Sequence, residues 1–561
     1  MNTENTEDRS QKTEVRSPKP GFREALATRV LLGDGAMGTS LLARRALVNR
    51  SLDELNLSLP ALVRDVHRDF LAAGADIIQT NTFGANRARL GAFGFADRVR
   101  AVNLAGVRIA REAAREAAFV AGTVGPLGTS LAPWGTVRPE EARAMFREQI
   151  DALVAGGVDL LMLETFRSLD ELEQAVLAAR ESAGAEIAVI AQVSVEEDGL
   201  LIDGTAPEDF ARRIDAWVVD GIGVNCSTGP KSVLEALERM APYTEKALCA
   251  MPSAGLRKPL VSAEYLARYA ARFLRAGAKI VGGCCGVTPE HIRAVAAEVQ
   301  EFSGEVAPRA VAVERPAVVE WEEVPFAEKS GLARKLSEKR FVTLVQMDPP
   351  VGADASREIA AAKAAGMDAV AVADRARRLS AAATGSLMER EGVETMLVLG
   401  MWARSAIELQ SELLGAQAAG IRNVLCSSAG EVEMVRRLNH GVDLGGNALG
   451  SRTSLAVGMM GRASGAADFL VTPPMHDAAA LEEILRGCEV AVIVGIRPLQ
   501  SVREAEYTMH ELGLAVPAET IARLSVGGAA EGLAIAREML ERVRGLAAGV
   551  LWIGIETTEL H

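Results

Sequence analysis

Ala278-Lys279-Ile280-Val281-Gly282-Gly283-Cys284-Cys285-Gly286 sets a short apolar run against two adjacent cysteines framed by glycines. The run 278–281 reads as a buried strand. Neighbouring strand residues point to opposite faces, so both thiols serve one site only if the strand ends there. Gly286 supplies the break. Gly221-Ile222-Gly223-Val224-Asn225-Cys226 has a similar setting, a strand end followed by Ser227-Thr228-Gly229-Pro230. Three thiolates at strand ends form three sides of a tetrahedral Zn²⁺ site and leave the fourth open, as a catalytic zinc requires. A lone cysteine usually packs as a small hydrophobe. Cys249, Cys426 and Cys488 lie in apolar runs without glycine framing and are read as core. A redox pair is disfavoured, because vicinal cysteines close a strained ring and no C-x-x-C is present.

Working outward, residues 29–286 alternate short apolar runs with longer stretches of helical period. The runs are 30–37, 76–83, 119–126, 158–166, 186–195, 221–227, 246–255 and 279–286, and helical stretches such as 140–155 and 170–182 lie between them. Strand-helix alternation predicts parallel strands. Eight such units predict an α/β fold of the (β/α)₈ TIM-barrel type. Polar and glycine-rich residues gather at the ends of the runs, where barrel chemistry sits. The three cysteines then share one rim, on strands six and eight, close enough across barrel closure to converge on one ion.

The chain has 561 residues, nearly half of them hydrophobic, with a net charge of −13. That length predicts two large domains. The acidic balance argues against a nucleic-acid partner. Six irregularly spaced cysteines predict no disulfide framework and fit a reducing, cytoplasmic setting. Residues 1–21 are polar and are expected to be disordered, neither signal peptide nor membrane anchor. No run approaches a transmembrane length, so no membrane partner is expected. The predicted domains are a barrel at 22–302, a Pro-containing linker at 303–322 and a second barrel at 323–561. The second rests on eight further runs: 341–347, 368–374, 394–401, 423–427, 454–460, 468–473, 490–498 and 550–557.

Several stretches of the first barrel resemble the homocysteine S-methyltransferase family. They are Gly33-Asp34-Gly35-Ala36-Met37-Gly38-Thr39, Gln79-Thr80-Asn81-Thr82-Phe83, Gly125-Pro126-Leu127-Gly128, Glu164-Thr165, Gly223-Val224-Asn225-Cys226 and Gly282-Gly283-Cys284-Cys285-Gly286. The resemblance implies that Cys226, Cys284 and Cys285 hold zinc and are catalytic, with the sulfur of homocysteine as fourth ligand. The chemistry agrees: a free thiol is mostly protonated at neutral pH, and zinc lowers its pKa. The resemblance also implies substrate contacts at Asp34, Ala36, Met37, Thr39, Asn81, Glu164 and Asn225. Glu164 would accept the substrate ammonium, and the 34–39 turn would offer backbone N–H groups to the carboxylate.

The second barrel resembles methylenetetrahydrofolate reductase, more closely the form fused behind a homocysteine methyltransferase. The supporting stretches are Asp348-Pro349-Pro350, Val372-Ala373-Asp374, residues 409–425, Val494-Gly495-Ile496-Arg497-Pro498-Leu499 and Glu504-Ala505-Glu506. Four stretches depart from that family. Gln346 replaces its folate-protonating glutamate, and an amide supplies no proton at neutral pH. Ser427–Glu431 (residues 427–431) replaces a Gly-Asp and a long flavin loop. Pro473-Pro474 replaces Gln-Pro, and residues 400–404 replace a His/Thr-Cys region. Gln346, Asp374 and Glu431 become the candidate rim residues.

The leading reading is a zinc-dependent homocysteine S-methyltransferase forming methionine, with a reductase-like barrel whose flavin chemistry is lost or altered. A second reading is bifunctional, with FAD in the second barrel. A third makes that barrel a non-catalytic module binding a folate or a corrinoid methyl-carrier protein. S-methylmethionine, S-adenosylmethionine, methyltetrahydrofolate and a methyl-corrinoid protein all stay open as methyl donor, and a homo-oligomer stays open as assembly. Asp65-Val66-His67 is similar to a corrinoid-ligating Asp-x-His but lacks its glycine, so His67 is read as a helix-surface residue.

Overall fold

The computed structural model describes residues 21–44, 51–132, 134–255, 261–302, 321–400, 405–461, 466–486 and 488–555. The expectations for residues 1–20, for the linker at 303–320 and for residues 401–404 lie outside the described residues. The chain forms two compact units. The first draws on 21–129, 138–201 and 206–302, and the second on 321–555 together with 130–137 and 202–205.

The first unit is an eight-stranded parallel barrel, as the alternation predicts. Its strands are β1 Leu31–Leu32, β2 Ile77–Gln79, β3 Phe119–Val124, β4 Leu160–Phe166, β5 Ala188–Val193, β6 Gly221–Cys226, β7 Ala247–Pro252 and β8 Ala278–Val281. Around the sheet the order is β1-β8-β7-β6-β5-β4-β3-β2. A single bridge between Gly33 and Ile77 joins its two ends. Side chains reinforce that seam: Gln79 N donates to Asp34 Oδ2 at 2.9 Å, and Leu32 N donates to Asp76 Oδ2 at 2.9 Å. Several helices between strands start on proline or a serine cap, as at Pro139–Ala155 and at Leu169–Ala183 behind Ser168. They bury one face; in Pro139–Ala155 this is Ala142, Phe146, Gln149, Ile150 and Leu153.

Inside the ring, Leu31, Ile77, Phe119, Leu160, Met162, Ile190, Met251 and Ile280 make a dry core with Phe22, Ala25 and Leu26. Phe22 meets Phe119 edge-on at 5.3 Å. Phe119 begins its strand, so the helix Phe22–Thr28 stops the N-terminal mouth and leaves the C-terminal mouth for chemistry.

The second unit is a closed parallel barrel of β9 Val342–Met347, β10 Ala369–Ala373, β11 Thr395–Val398, β12 Asn423–Cys426, β13 Ala456–Met460, β14 Phe469–Pro474, β15 Ala491–Ile496 and β16 Gly549–Trp552. β16 pairs with β9 to complete the ring.

Two expectations are corrected. His67 is not a surface residue: it is fully buried in the helix Pro60–Ala72. Val63, Val66, His67 and Phe70 form one inward stripe at helical spacing, and that stripe outweighs the polarity of the ring. Burial pushes the His67 pKa down to about 4, so the ring is neutral at pH 7. Cys488 is half-buried rather than core, with its Sγ 3.2 Å from the Ile484 carbonyl, while Cys249 and Cys426 are buried as expected.

Candidate active site

Cys226 is the last residue of β6, and Cys284 and Cys285 follow the glycine pair after β8. β6, β7 and β8 are neighbours in the sheet, so the three thiols meet across β7 rather than across the seam. The loop is pinned on both sides: Cys284 N donates to Pro252 O at 2.9 Å, Ala254 N to Cys285 O at 2.8 Å, and Gly283 N to Asp34 O at 2.9 Å. Gly286 sits at φ +77, and a Cβ there would lie 2.2 Å from Gly255 O. Only glycine turns the chain in that space. Cys226 and Ser227 hold left-handed backbone at φ 55 and 59, and Thr165 beside Glu164 does so at 65. Non-glycine residues held there store strain.

The three sulfurs lie within 4.8 Å of one another. Tetrahedral Zn–S bonds of about 2.3 Å ask for sulfurs about 3.8 Å apart, so the cluster needs only small adjustment. Soft thiolates are donors that suit zinc, Cu(I) and iron–sulfur clusters. Hydrogen bonds from Cys226 and Cys284 pull the Cys285 pKa down to about 3. Cys284 is pushed well above the usual thiol range by its bonds to Cys226 and Cys285 and by burial. Three thiolates this close repel one another, and a divalent cation is what would stabilise all three.

Glu164, near the end of β4, is 8 % exposed. Burial pushes its carboxyl up to about 8, and the charges of Asp34 and Cys285 push the same way. Asn225 ties this carboxylate to the cysteines. Its Nδ2 lies 3.4 Å from Glu164 Oε2, 2.7 Å from Thr165 Oγ1 and 3.7 Å from Cys284 Sγ, and its Oδ1 accepts Thr165 N at 2.7 Å.

A cavity of about 700 Å³ opens over the cluster, and Cys226, Cys284, Cys285 and Glu164 are on its wall. Of the other predicted residues, Ala36, Met37, Thr39 and Asn81 are on the wall too, whereas Asp34 and Asn225 stand behind it. Ala36 N is engaged with Val287 O at 3.1 Å, and Thr39 Oγ1 accepts Gly286 N at 3.3 Å. Asn81 Nδ2 donates to Leu52 O at 2.7 Å and to Asn56 Oδ1 at 3.1 Å. Asp34 takes both the backbone N and the Nε2 of Gln79, and burial pushes its pKa up to about 7.

Two wall residues escaped the sequence reading. Gln79 is buried, and its Oε1 has no hydrogen-bond partner among the described residues. Its place in the Gln79–Phe83 stretch (residues 79–83) was the available signal. Arg89 gave none, because its short helix Arg87–Gly91 reads as an ordinary polar surface turn.

In the second barrel Gln346 is half-buried on β9. Asp374 accepts Ala381 N at 2.7 Å. Glu431 closes a capping box with Ser428 on the helix Ala429–Asn439, accepting Ser427 N at 2.6 Å and Ser428 N at 3.3 Å. Both carboxylates hold helix starts.

Comparison with known proteins finds likeness in the first unit. Residues 31–299 match the family described as homocysteine S-methyltransferase. The chain is 35 % identical over 338 residues to methionine synthase from Mycobacterium leprae (strain TN), and 35 % identical over 335 residues to that from Mycobacterium tuberculosis (strain ATCC 25618 / H37Rv). Each match covers 55 % of this chain and 28 % of the relative, so the chain spans little more than a quarter of their length. Among solved structures, the metallated form of the homocysteine methyltransferase MmuM from Escherichia coli is 29 % identical at a TM-score of 0.44, covering 49 % of this chain and 99 % of that one. Its oxidized form is 28 % identical at 0.44, covering 48 % and 97 %.

Proposed function

We propose that the chain methylates the sulfur of homocysteine and so forms methionine, with zinc held by Cys226, Cys284 and Cys285. The observation that carries this reading is the convergence of three thiols and a buried glutamate on one cavity wall. Zinc, when bound, lowers the pKa of a thiol in its open position and keeps that sulfur nucleophilic near pH 7. The rest falls to the chain's own groups. Glu164, which burial keeps protonated near pH 7 in the empty site, loses its proton to solvent as the substrate ammonium arrives and then accepts that ammonium, and Asn225 fixes the position of Glu164 relative to Cys284. The thiol proton leaves to solvent. A sulfur lone pair forms the new S–C bond, and the donor's bond to its methyl breaks with both electrons staying on the donor atom. A positively charged donor leaves neutral. The apolar wall limits water at the reacting atoms.

For the second barrel we propose a reductase-like frame whose flavin chemistry is lost. Gln346 supplies no proton, Glu431 already closes a capping box, and Asp374 already accepts the first N–H of the helix 381–390. Two assays test the pair of proposals. Zinc-loaded protein with homocysteine should form methionine from at least one of S-methylmethionine, S-adenosylmethionine, methyltetrahydrofolate or a methyl-corrinoid protein. Methionine from none of them would reject the methyltransferase reading. Stoichiometric FAD with menadione reduction would reject the second.

A further inference from the structure

The cavity extends well beyond the cysteines. In the strand order, β2 and β3 stand opposite β6 and β7, so the wall built after β2 and β3 faces the thiol side across the barrel mouth. That far wall holds Phe83, Ala88, Arg89, Phe93, Leu127 and Gly128. Thr80, Asn81, Thr82 and Thr129 share that side and Asp53 lines the cavity too, and Arg89 is its cation.

Arg89 is held as a built feature. Its Nε donates to the Pro126 carbonyl at 2.7 Å, and its guanidinium carbon lies 5.2 Å from the Phe83 ring centroid. Gly128, at φ +81, leaves room beside it: a Cβ there would come within 3.2 Å of Arg89 Nε. The guanidinium is thus held by a carbonyl, a ring and a close glycine, which leaves it little side-chain freedom to lose. Among the described residues, its two terminal nitrogens have neither a hydrogen-bond nor an ion-pair partner. Asp53 and Glu171 are near enough to feel its charge but make no ion pair with it. A pre-oriented guanidinium with two free N–H₂ groups on a cavity wall matches a planar anion, above all a carboxylate.

We propose that Arg89 binds a carboxylate of the methyl donor, so that the donor is a carboxylate-bearing molecule placed across the mouth from the thiols. This rests on the methyltransferase reading above, and it narrows the donor class. A sulfonium amino acid and a folate with its glutamate tail both carry the group, and paired probes separate them.

The test uses full-length zinc-loaded protein and calorimetric titration. The carboxylate-bearing probes are S-methylmethionine, S-adenosylmethionine and methyltetrahydrofolate. Trimethylsulfonium and methyltetrahydropterin are their counterparts without the carboxylate. At least one carboxylate probe should bind, tighter than its counterpart. Arg89→Gln should weaken it about 10- to 100-fold, the scale of one charge-assisted hydrogen bond. Arg89→Lys should recover part of that loss, and zinc content and homocysteine binding should hold in both variants. Three results overturn the inference: no carboxylate probe binding, equal loss for both members of a pair, or a loss confined to homocysteine. The last would assign Arg89 to the homocysteine carboxylate. Because the readout is binding, failure of methyl transfer itself would strike the parent reading and leave this one to be judged on its own.

Discussion

The two barrels share a frame and differ in what their strand ends do with polar groups. In the first, Cys226, Ser227 and Thr165 are held in left-handed backbone. There Glu164 is buried with a raised pKa, and Gln79 Oε1 lacks a partner among the described residues. In the second, the carboxylates at comparable positions close local structure: Glu431 caps one helix and Asp374 receives the first N–H of another. Strain costs about 1–3 kcal/mol per residue, and an unmet buried polar group costs about the same. The second barrel is not without them: Arg377 after β10 is left-handed at φ 64, and buried His476 after β14 leaves its Nε2 without a partner among the described residues, so the contrast rests on the cysteines and the carboxylates. One fold therefore carries two different rims, and function follows the rim.

The largest expected effect breaks the comparison at its centre. Serine at Cys226, Cys284 or Cys285 should lower methyl transfer about a thousandfold or more, the scale of the several kcal/mol a Lewis-acid site supplies. Initial rates of methionine formation check this. Next comes Glu164→Gln, which should raise the homocysteine KM about ten- to a hundredfold, the worth of one charge-assisted hydrogen bond. Zinc content should not change. An unchanged KM would make Glu164 a structural residue like its counterparts in the second barrel.

Smaller effects sharpen the contrast. Glu431→Ala should cost about 1 kcal/mol of stability, as the loss of a helix cap does, and leave methyl transfer intact. Denaturant unfolding with a parallel rate assay reads both. The visible spectrum of the purified protein should lack a flavin band, and a stoichiometric band would restore the bifunctional reading. The last effect is a pH dependence. Burial lifts Glu171 from 4.5 to about 7, against the pull of its bond from Leu127 N and of Arg89. The folded chain then binds its proton more tightly than the unfolded chain does. Its contribution to stability falls as pH rises from about 4.5 to 7, by on the order of 3 kcal/mol in all. Glu171→Gln should flatten that fall. Thermal midpoints across this window test it, and identical slopes in both proteins would count against it.

The frame was legible because period and punctuation agree. Apolar runs between amphipathic helices gave all sixteen strands, although glycines shorten β1 to Leu31–Leu32. The thiol cluster was legible because glycines framed it. His67 was misread, although Val63, Val66 and Phe70 already marked its helix face as buried. Arg89 could not be found from sequence, because its meaning depends on Phe83, Pro126 and Gly128 meeting it in space. Asp34 and Asn225 were placed at the right rim, but their bonds to Gln79 and Thr165 put them behind the wall.

The most direct test of the account is the zinc content of the purified protein beside that of Cys285→Ser. One Zn²⁺ per chain in the first and none retained in the second, with methyl transfer lost in step, is the predicted result. A Cys285→Ser protein that keeps stoichiometric zinc and normal turnover would contradict it.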